Sequence, residues 1–334
     1  MKTLILLLFV TVSFAQIRGK VVDVNGKALV AANVYFDGTT VATLTDKKGD
    51  FIIDNTFRLN TVLVVSFLGY QTQYLKFDSD KELYVILKEV AESLNEVIIK
   101  KDLFTRKQKM ELFRDQFLGR TSFGKASKIE NESDIYFIYD KDKTTLKAFS
   151  QNPLIIVNSA LGYKITYELS NFETKFWKLS VNSRDVTRSF FSGLSRFEEN
   201  DSSSKIIKNR EKCYTGSQLE FFRNLGDETL GKGNFLVFEK SYQVNPKDSF
   251  TVRDTLGLKR VEVLKQERGL HNKKFIAEFS LLHKKAGQSK FILETTSFYI
   301  DQFGLNSNIE DISFSGKLSE QRVGNMLPAN YKIN

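Results

Sequence analysis

Residues 19–53, GKVVDVNGKALVAANVYFDGTTVATLTDKKGDFII, decide the fold of the first part of this chain. Short apolar runs alternate with turn dipeptides at close intervals. Arg18–Val24 runs into Asn25-Gly26, a strong hairpin signal because both residues tolerate positive φ. Ala32–Phe36 ends at Asp37-Gly38. Thr39–Thr45 and Phe51–Asp54 flank the turn Asp46-Lys47-Lys48-Gly49-Asp50. Just beyond, Thr61–Leu68 (TVLVVSFL) is almost continuously apolar, as a strand buried on both faces requires, and Gly69 breaks it. Gln71–Phe77 and Glu82–Leu87 complete a set of about seven short strands. That spacing predicts a small sandwich rather than a sheet with crossover helices.

These residues resemble the carboxypeptidase-regulatory-like domain of Bacteroidetes-type envelope proteins. The likeness rests on residues 19–53 and on LVVSFLGYQTQ at 63–73: Asn33-Val34 entering a strand, Thr45-Asp46 with Gly49 and Phe51, and Ser66-Phe67 with Gly69-Tyr70. It departs at Ala28, where the family often has Pro, and at Ala31, where it often has Gly. The resemblance implies a transthyretin-like β-sandwich that accompanies other modules and is not itself catalytic.

Upstream, Met1–Ala15 (MKTLILLLFVTVSFA) carries Lys2, an apolar run, and small residues Ser13 and Ala15 at the −3 and −1 positions of a cleavage site before Gln16. A signal peptide over 1–15 is expected, with export to the periplasm or the outer membrane. The run is too short for a permanent membrane helix, no cysteine follows the cleavage point, and no transmembrane helix is expected in the mature chain.

Downstream, the domain plan is a sandwich over 16–90, a connector over 91–103, and one β-rich α+β domain over 104–334. Leu94–Lys100 (LNEVIIK) is a strand-like connector. It is similar to a segment that leads into the plug of receptors with a TonB-dependent barrel, although the chain that remains is too short for a barrel of that size. Thr105–Leu118 reads as a helix with Met110, Phe113 and Phe117 on one face and Gly119 as its stop. Asp134–Asp140, Thr144–Phe149 and Tyr163–Ser170 alternate with period two, and Trp177, Leu179 and Val181 continue that pattern. Ser202–Leu225 is helical, with Ser217 and Glu220 at capping-box spacing. Strands follow at Phe235–Phe238, Arg260–Leu264, Phe275–Leu282, Phe291–Asp301 and Asn308–Phe314. Val323, Met326, Leu327 and Tyr331 are apolar residues in a polar tail, which predicts that the tail docks rather than frays. The stretches at 113–119, 153–172, 209–225 and 312–331 are similar to the domain that follows the regulatory module in a large group of such proteins. That resemblance implies an architecture but no activity. The fold class is therefore mainly β: an N-terminal transthyretin-like β-sandwich followed by a larger, β-rich α+β domain.

Composition supports strands, with 29 Phe and 12 Tyr and only 3 Pro. The 49 basic and 40 acidic residues leave a net charge of +9, spread along the chain. This favours weak contact with anionic surfaces, and no nucleic-acid motif accompanies it. The single cysteine, Cys213, excludes an intramolecular disulfide and reads as a partly buried, inert thiol.

Catalytic chemistry has few footholds. The two histidines, His271 and His283, begin neither an HxxE nor an HExxH spacing, and both read as exposed turn residues among lysines. Gly193-Leu194-Ser195 lacks the second glycine of a nucleophile elbow, and Ser217 reads as a helix cap. Gly231-Lys232-Gly233 lacks the remainder of a dinucleotide loop or P-loop. Asp46, Asp50 and Asp54 suggest a calcium loop only until Lys47 and Lys48 are placed between the first two, so an ordinary turn is expected. Glu198-Glu199 reads as surface charge. No catalytic, cofactor-binding or metal-ligating residue is assigned, and no cofactor is expected. The sequence thus points to a non-catalytic, exported cell-envelope protein, an interaction or assembly module whose partner is an envelope protein or glycan. The alternatives are an envelope hydrolase and a small outer-membrane barrel in the second part.

Overall fold

The computed structural model describes residues 16–54, 62–75, 82–90, 102–255, 257–264 and 276–332. The leader, the connector segment Leu94–Lys100 and His271 lie outside the described residues. The chain divides into two compact units, one comprising residues 1–36 and 41–93, the other residues 37–40 and 94–334.

Among the described residues of the first unit, seven strands form two sheets. They are β1 (Gln16–Asp23), β2 (Asn33–Phe36), β3 (Ala42–Leu44), β4 (Asp50–Asp54), β5 (Leu63–Ser66), β6 (Gln73–Leu75) and β7 (Leu83–Leu87). One sheet has the order β4-β1-β7, and the other β3-β2-β5-β6. The turn chemistry is as the sequence implies. The Asp23 carboxylate accepts hydrogen bonds from the Asn25 and Lys27 amides, closing the hairpin at Asn25-Gly26. Leu63, Val64 and Val65 are all buried, which accounts for the continuous apolar run. Leu68 differs: it sits in the following turn and is 87% exposed, because the strand has already ended at Ser66. Buried Thr45 fastens the two sides of a loop, donating to the Leu29 carbonyl and accepting from the Ala32 amide. Within that loop, Ala31 has φ 61. This explains the glycine of the resembled family: a left-handed backbone costs an alanine roughly 1–2 kcal/mol.

The second unit opens with α1 (Arg106–Phe117), whose N-cap Thr105 and N3 Gln108 form a complete capping box. After α2 (Ser122–Lys125) come β8 (Ser127–Ile129), β9 (Ile135–Asp140), β10 (Thr145–Ser150), β11 (Leu154–Asn158), β12 (Tyr163–Phe176) and β13 (Val186–Glu199). These six strands form one sheet in which β12 is the spine, pairing β11 and β10 on one edge and β13 along the other. Phe113 and Phe117 of α1 pack on it, with ring centroids 4.7 Å from Phe172 and 5.1 Å from Tyr167 respectively.

Two helices, α3 (Ser204–Tyr214) and α4 (Gln218–Gly226), lead to a second core. Its strands are β14 (Phe235–Glu239), β15 (Tyr242–Val244), then, after α5 (Pro246–Ser249), β16 (Phe250–Thr255), β17 (Leu258–Val263), β18 (Ala277–His283), β19 (Gly287–Leu293), β20 (Ser297–Ile300) and β21 (Ile312–Gly316). They form a five-stranded sheet, β15-β14-β18-β19-β21, and a three-stranded sheet, β16-β17-β20. Phe221, Phe222 and Leu225 of α4 are buried in this core with Phe291 and Phe298.

The tail docks as its apolar residues imply. Val323 and Leu327 are buried in the first core, and Met326 and Tyr331 pack against it. Arg223 of α4 clamps the tail. Its guanidinium donates to the Tyr331 carbonyl at 2.8 Å and the Ala329 carbonyl at 2.7 Å, and also to the Phe303 carbonyl at 2.8 Å.

Three readings of the strands need correction. Trp177, Leu179 and Val181 do not continue the strand. β12 ends at Phe176, and a loop follows in which Ser180 and Asn182 turn the chain through side-chain bonds to nearby amides. Phe291–Asp301 is two strands in two different sheets, because the Thr295 hydroxyl bonds to Ser297 and turns the chain between them. The barrel alternative also fails among the described residues. The strands of the second unit lie in three separate open sheets, and phenylalanine-rich cores pack on them.

Candidate functional site

A concavity with an apolar floor lies in the second core. It has a volume of about 340 Å³ and is lined by the end of α4, the turn at 228–233, β15, α5 and the start of β16. Each wall has a local cause. Leu225 closes α4 with its apolar face inward, so with Leu230 and Phe250 it makes a buried floor. Val244 and Val252 complete that floor. Asn245 caps α5 by accepting from the Lys247 amide, and Pro246 occupies the first helical turn, where its missing N–H costs nothing. Gly231 has φ 82, and a Cβ there would stand 3.1 Å from the Pro246 ring, so the turn and α5 approach as closely as a glycine allows. The rim is charged: Lys247 pairs with Glu228 at 3.3 Å, and Lys232 stands exposed beside them. The lining holds lysine, glutamate and amide groups on an apolar base. The turn Gly231-Lys232-Gly233 stands out in the sequence only as a loop, and here it forms one wall.

Apart from that turn, the described residues singled out in the sequence do not line this cleft. His283 is the sharpest departure. It is 2% exposed rather than an exposed turn residue, with its imidazole edge-on to the Phe235 ring at 4.6 Å. Its Nδ1 accepts from the Ala286 amide at 2.9 Å and the Lys285 amide at 3.2 Å. That nitrogen therefore carries no proton, and Nε2 presents its N–H toward Glu220, 3.4 Å away. Burial lowers the imidazole pKa, while the Glu220 carboxylate opposes that shift. Glu220 itself accepts from the Gly216 amide at 2.5 Å and from Asn234 at 2.9 Å. Glu220 therefore does not close the reciprocal half of a capping box. Ser217 caps α4 by accepting from the Glu220 amide, but the Glu220 side chain turns to Gly216 and His283. Gly216 has φ 74, and a Cβ there would meet Ala286 at 2.3 Å, so the pair is sealed under a turn that only glycine can make. The arrangement holds the 283–287 turn against α4 and leaves no access for a substrate.

The remaining candidates are structural. Ser195 is buried within β13. Glu198 and Glu199 are neighbours on one strand, so their side chains point to opposite faces. Glu198 pairs with Lys164 and Arg196, and Glu199 with Arg210. Cys213 is buried, its thiol donates to the Asn325 carbonyl, and burial pushes its pKa up to about 12. Asp46 accepts from the Lys48 and Asp50 amides, which hold its carboxyl below the usual range, and Asp50 faces Lys20 at 3.5 Å. Among the described residues, no group of three or more His, Cys, Asp or Glu side chains gathers at a spacing that could hold a metal.

One titratable group carries no sequence signal. Asp37, which belongs to the second unit, accepts from the Ser195 amide at 2.7 Å. Burial raises its carboxyl to about 6, against the pull of the Ser195 and Gly38 amides.

With the geometry established, comparison with known proteins places the first unit. Residues 17–99 match the family described as CarboxypepD_reg-like domain. Over 90 residues the chain is 39% identical to the TonB-dependent receptor SusC of Bacteroides thetaiotaomicron. That stretch is 26% of this chain and 9% of the receptor, so the chain spans less than a tenth of the length of the curated relative it matches. The described residues of the first unit, two packed sheets of short strands, form a carboxypeptidase-regulatory-like domain.

Proposed function

We propose that this chain is an exported, non-catalytic protein of the cell envelope, in which the regulatory-like sandwich accompanies a β-rich unit that binds a partner without transforming it. The observation that carries the reading is the match of residues 17–99 to a domain that a TonB-dependent receptor also contains. The leader-like residues 1–15 support it, with Gln16 as the mature N-terminus. So does the cleft, which offers an apolar floor and a lysine-bearing rim. An envelope protein suits that cleft better than a glycan does. The lining has no Trp or Tyr face on which a sugar ring would stack, whereas Leu225, Leu230 and Phe250 suit an inserted apolar side chain. No helix among the described residues is long and apolar enough to cross a membrane.

Fractionation of cells producing the tagged chain tests the proposal. Recovery in the envelope or periplasmic fraction is the expected result. Recovery in the cytosol with Met1 to Ala15 still attached overturns it.

A further inference from the structure

The chain has one tryptophan, and the fold leaves it outside. Trp177 is 65% exposed and Leu179, two residues on, is 51% exposed, both in the loop joining β12 to β13. Large apolar side chains at a loop tip are explained by fraying only where the loop is loose, and this loop is pinned throughout. The Ser180 amide donates to the Tyr139 hydroxyl at 3.2 Å, and the Ser183 hydroxyl donates to Asp115 of α1 at 2.7 Å. The Ser180 hydroxyl donates to the Asp185 carboxylate at 2.7 Å, Lys178 reaches the same carboxylate at 3.3 Å, and the Trp177 backbone amide donates to the Asp185 carbonyl at 3.2 Å. Ser180 and Lys178 hold the Asp185 carboxyl below its usual range. The backbone beneath the indole is thus fixed while its ring stays in solvent, with the Lys178 ammonium 4.4 Å from the ring centroid.

Charge around the tip favours one sign of partner. Lys178, Arg184 and Arg188 flank it, and the adjacent β9–β10 turn adds exposed Lys141 and Lys143. That turn lies alongside, because the Phe176 amide donates to the Thr144 carbonyl. The carboxylates nearby are mostly engaged within the fold: Asp185 and Asp115 by the loop, Asp140 by the Asp142 and Lys143 amides, and Glu173 by Lys147 and Lys175. Asp142 is the exposed acid of the turn. An indole and a leucine projecting together, ringed by basic side chains, match the chemistry of a bilayer interface. There aromatic rings sit at headgroup level and lysines reach the phosphates.

We propose that the Trp177–Leu179 tip is a membrane-contact site that seats the second unit on an anionic lipid surface. This goes beyond the functional reading above and does not depend on it: a partner-binding cleft and a lipid-seated tip stand or fall separately.

The single tryptophan is its own reporter. The purified mature chain is mixed with vesicles of phosphatidylcholine containing phosphatidylglycerol, and with phosphatidylcholine vesicles alone. The expected result is a blue shift of tryptophan emission and co-flotation with the anionic vesicles, reduced by high salt. Trp177→Ala lowers flotation about tenfold or more, since the indole supplies most of the apolar area inserted. Leu179→Ser, which keeps the reporter, reduces both the shift and flotation. Circular dichroism matching the parent shows that both variants are folded. Emission unchanged by anionic vesicles overturns the proposal. So does emission already blue-shifted in the free protein, because the tip is then covered by protein. Flotation of both variants at the parent level also overturns it, because binding is then due to charge elsewhere on the surface.

Discussion

The two units solve the same problem by opposite means. In the carboxypeptidase-regulatory-like unit, several turns are closed by residues a few positions apart: Asp23 reaches Asn25 and Lys27, and Asp46 reaches Lys48 and Asp50. In the second unit the decisive bonds span the sequence. Arg223 holds Ala329 across 106 residues, and Asp37 receives the Ser195 amide across 158. Local closure costs little loop entropy, whereas long-range closure must be repaid by burial and by charge-assisted bonds. The second unit is accordingly the one in which a single distant side chain should matter most.

The comparison would break most visibly at Phe113. It is fully buried and contacts Phe117, Phe137 and Phe172, so Phe113→Ala should cost about 3–5 kcal/mol. Denaturant unfolding of the full chain should show that loss in the transition of the second unit and none in that of the first. Next is Arg223→Ala, which strands three carbonyls around a lost cation. A cost of about 2–3 kcal/mol is expected, with faster proteolysis of the tail as a second readout.

A smaller effect is expected at Asp37, with a sign that pH reveals. Its folded pKa, about 6, stands above the ordinary 3.8, so the folded state holds this proton more tightly than the unfolded chain. The stability it contributes is present below about pH 4 and is lost as pH rises through about 6. Asp37→Asn should flatten that slope and raise stability at neutral pH by about 1–2 kcal/mol, discounted for the solvent contact that the half-buried group retains. Thermal melts at intervals between pH 4 and pH 7 measure it. The smallest change belongs to the first unit: Ala31→Gly relieves the positive φ but loosens the unfolded chain. A net gain of about 0.5–1 kcal/mol in the melting of that unit is expected.

What could be read in the sequence follows the same division. Thr105 and Gly119 mark both ends of α1, because capping acts over a single turn of helix, while the Gln108 half of the cap shows only in the structure. Asn25-Gly26 and the 61–68 run place the sandwich strands for the same reason. His283 reads as exposed because nothing beside it in sequence announces Glu220 or Phe235, which fold over it from other elements. Trp177, Leu179 and Val181 imitate a strand through their alternation, while the signals that end the strand, Ser180, Asn182 and Asp185, are polar side chains bonding to neighbours in the loop. β13 carries no clear sequence signal, because only Ser195 and Phe197 of it are fully buried and its faces show no clean apolar alternation. The cleft is legible only as the Gly231-Lys232-Gly233 turn, since its floor is assembled from α4, β15 and β16.

Calorimetry of the chain lacking Arg322–Asn334 tests the central claim, that long-range closure by the tail holds the second unit while the sandwich is self-sufficient. The deletion removes buried Val323 and Leu327, each contributing about 1.5–3 kcal/mol, together with two of the three carbonyls that Arg223 holds. The account predicts that the transition of the second unit falls in temperature and that its protease sensitivity rises, with the transition of the first unit unmoved. A truncated chain that melts like the full-length protein would contradict it.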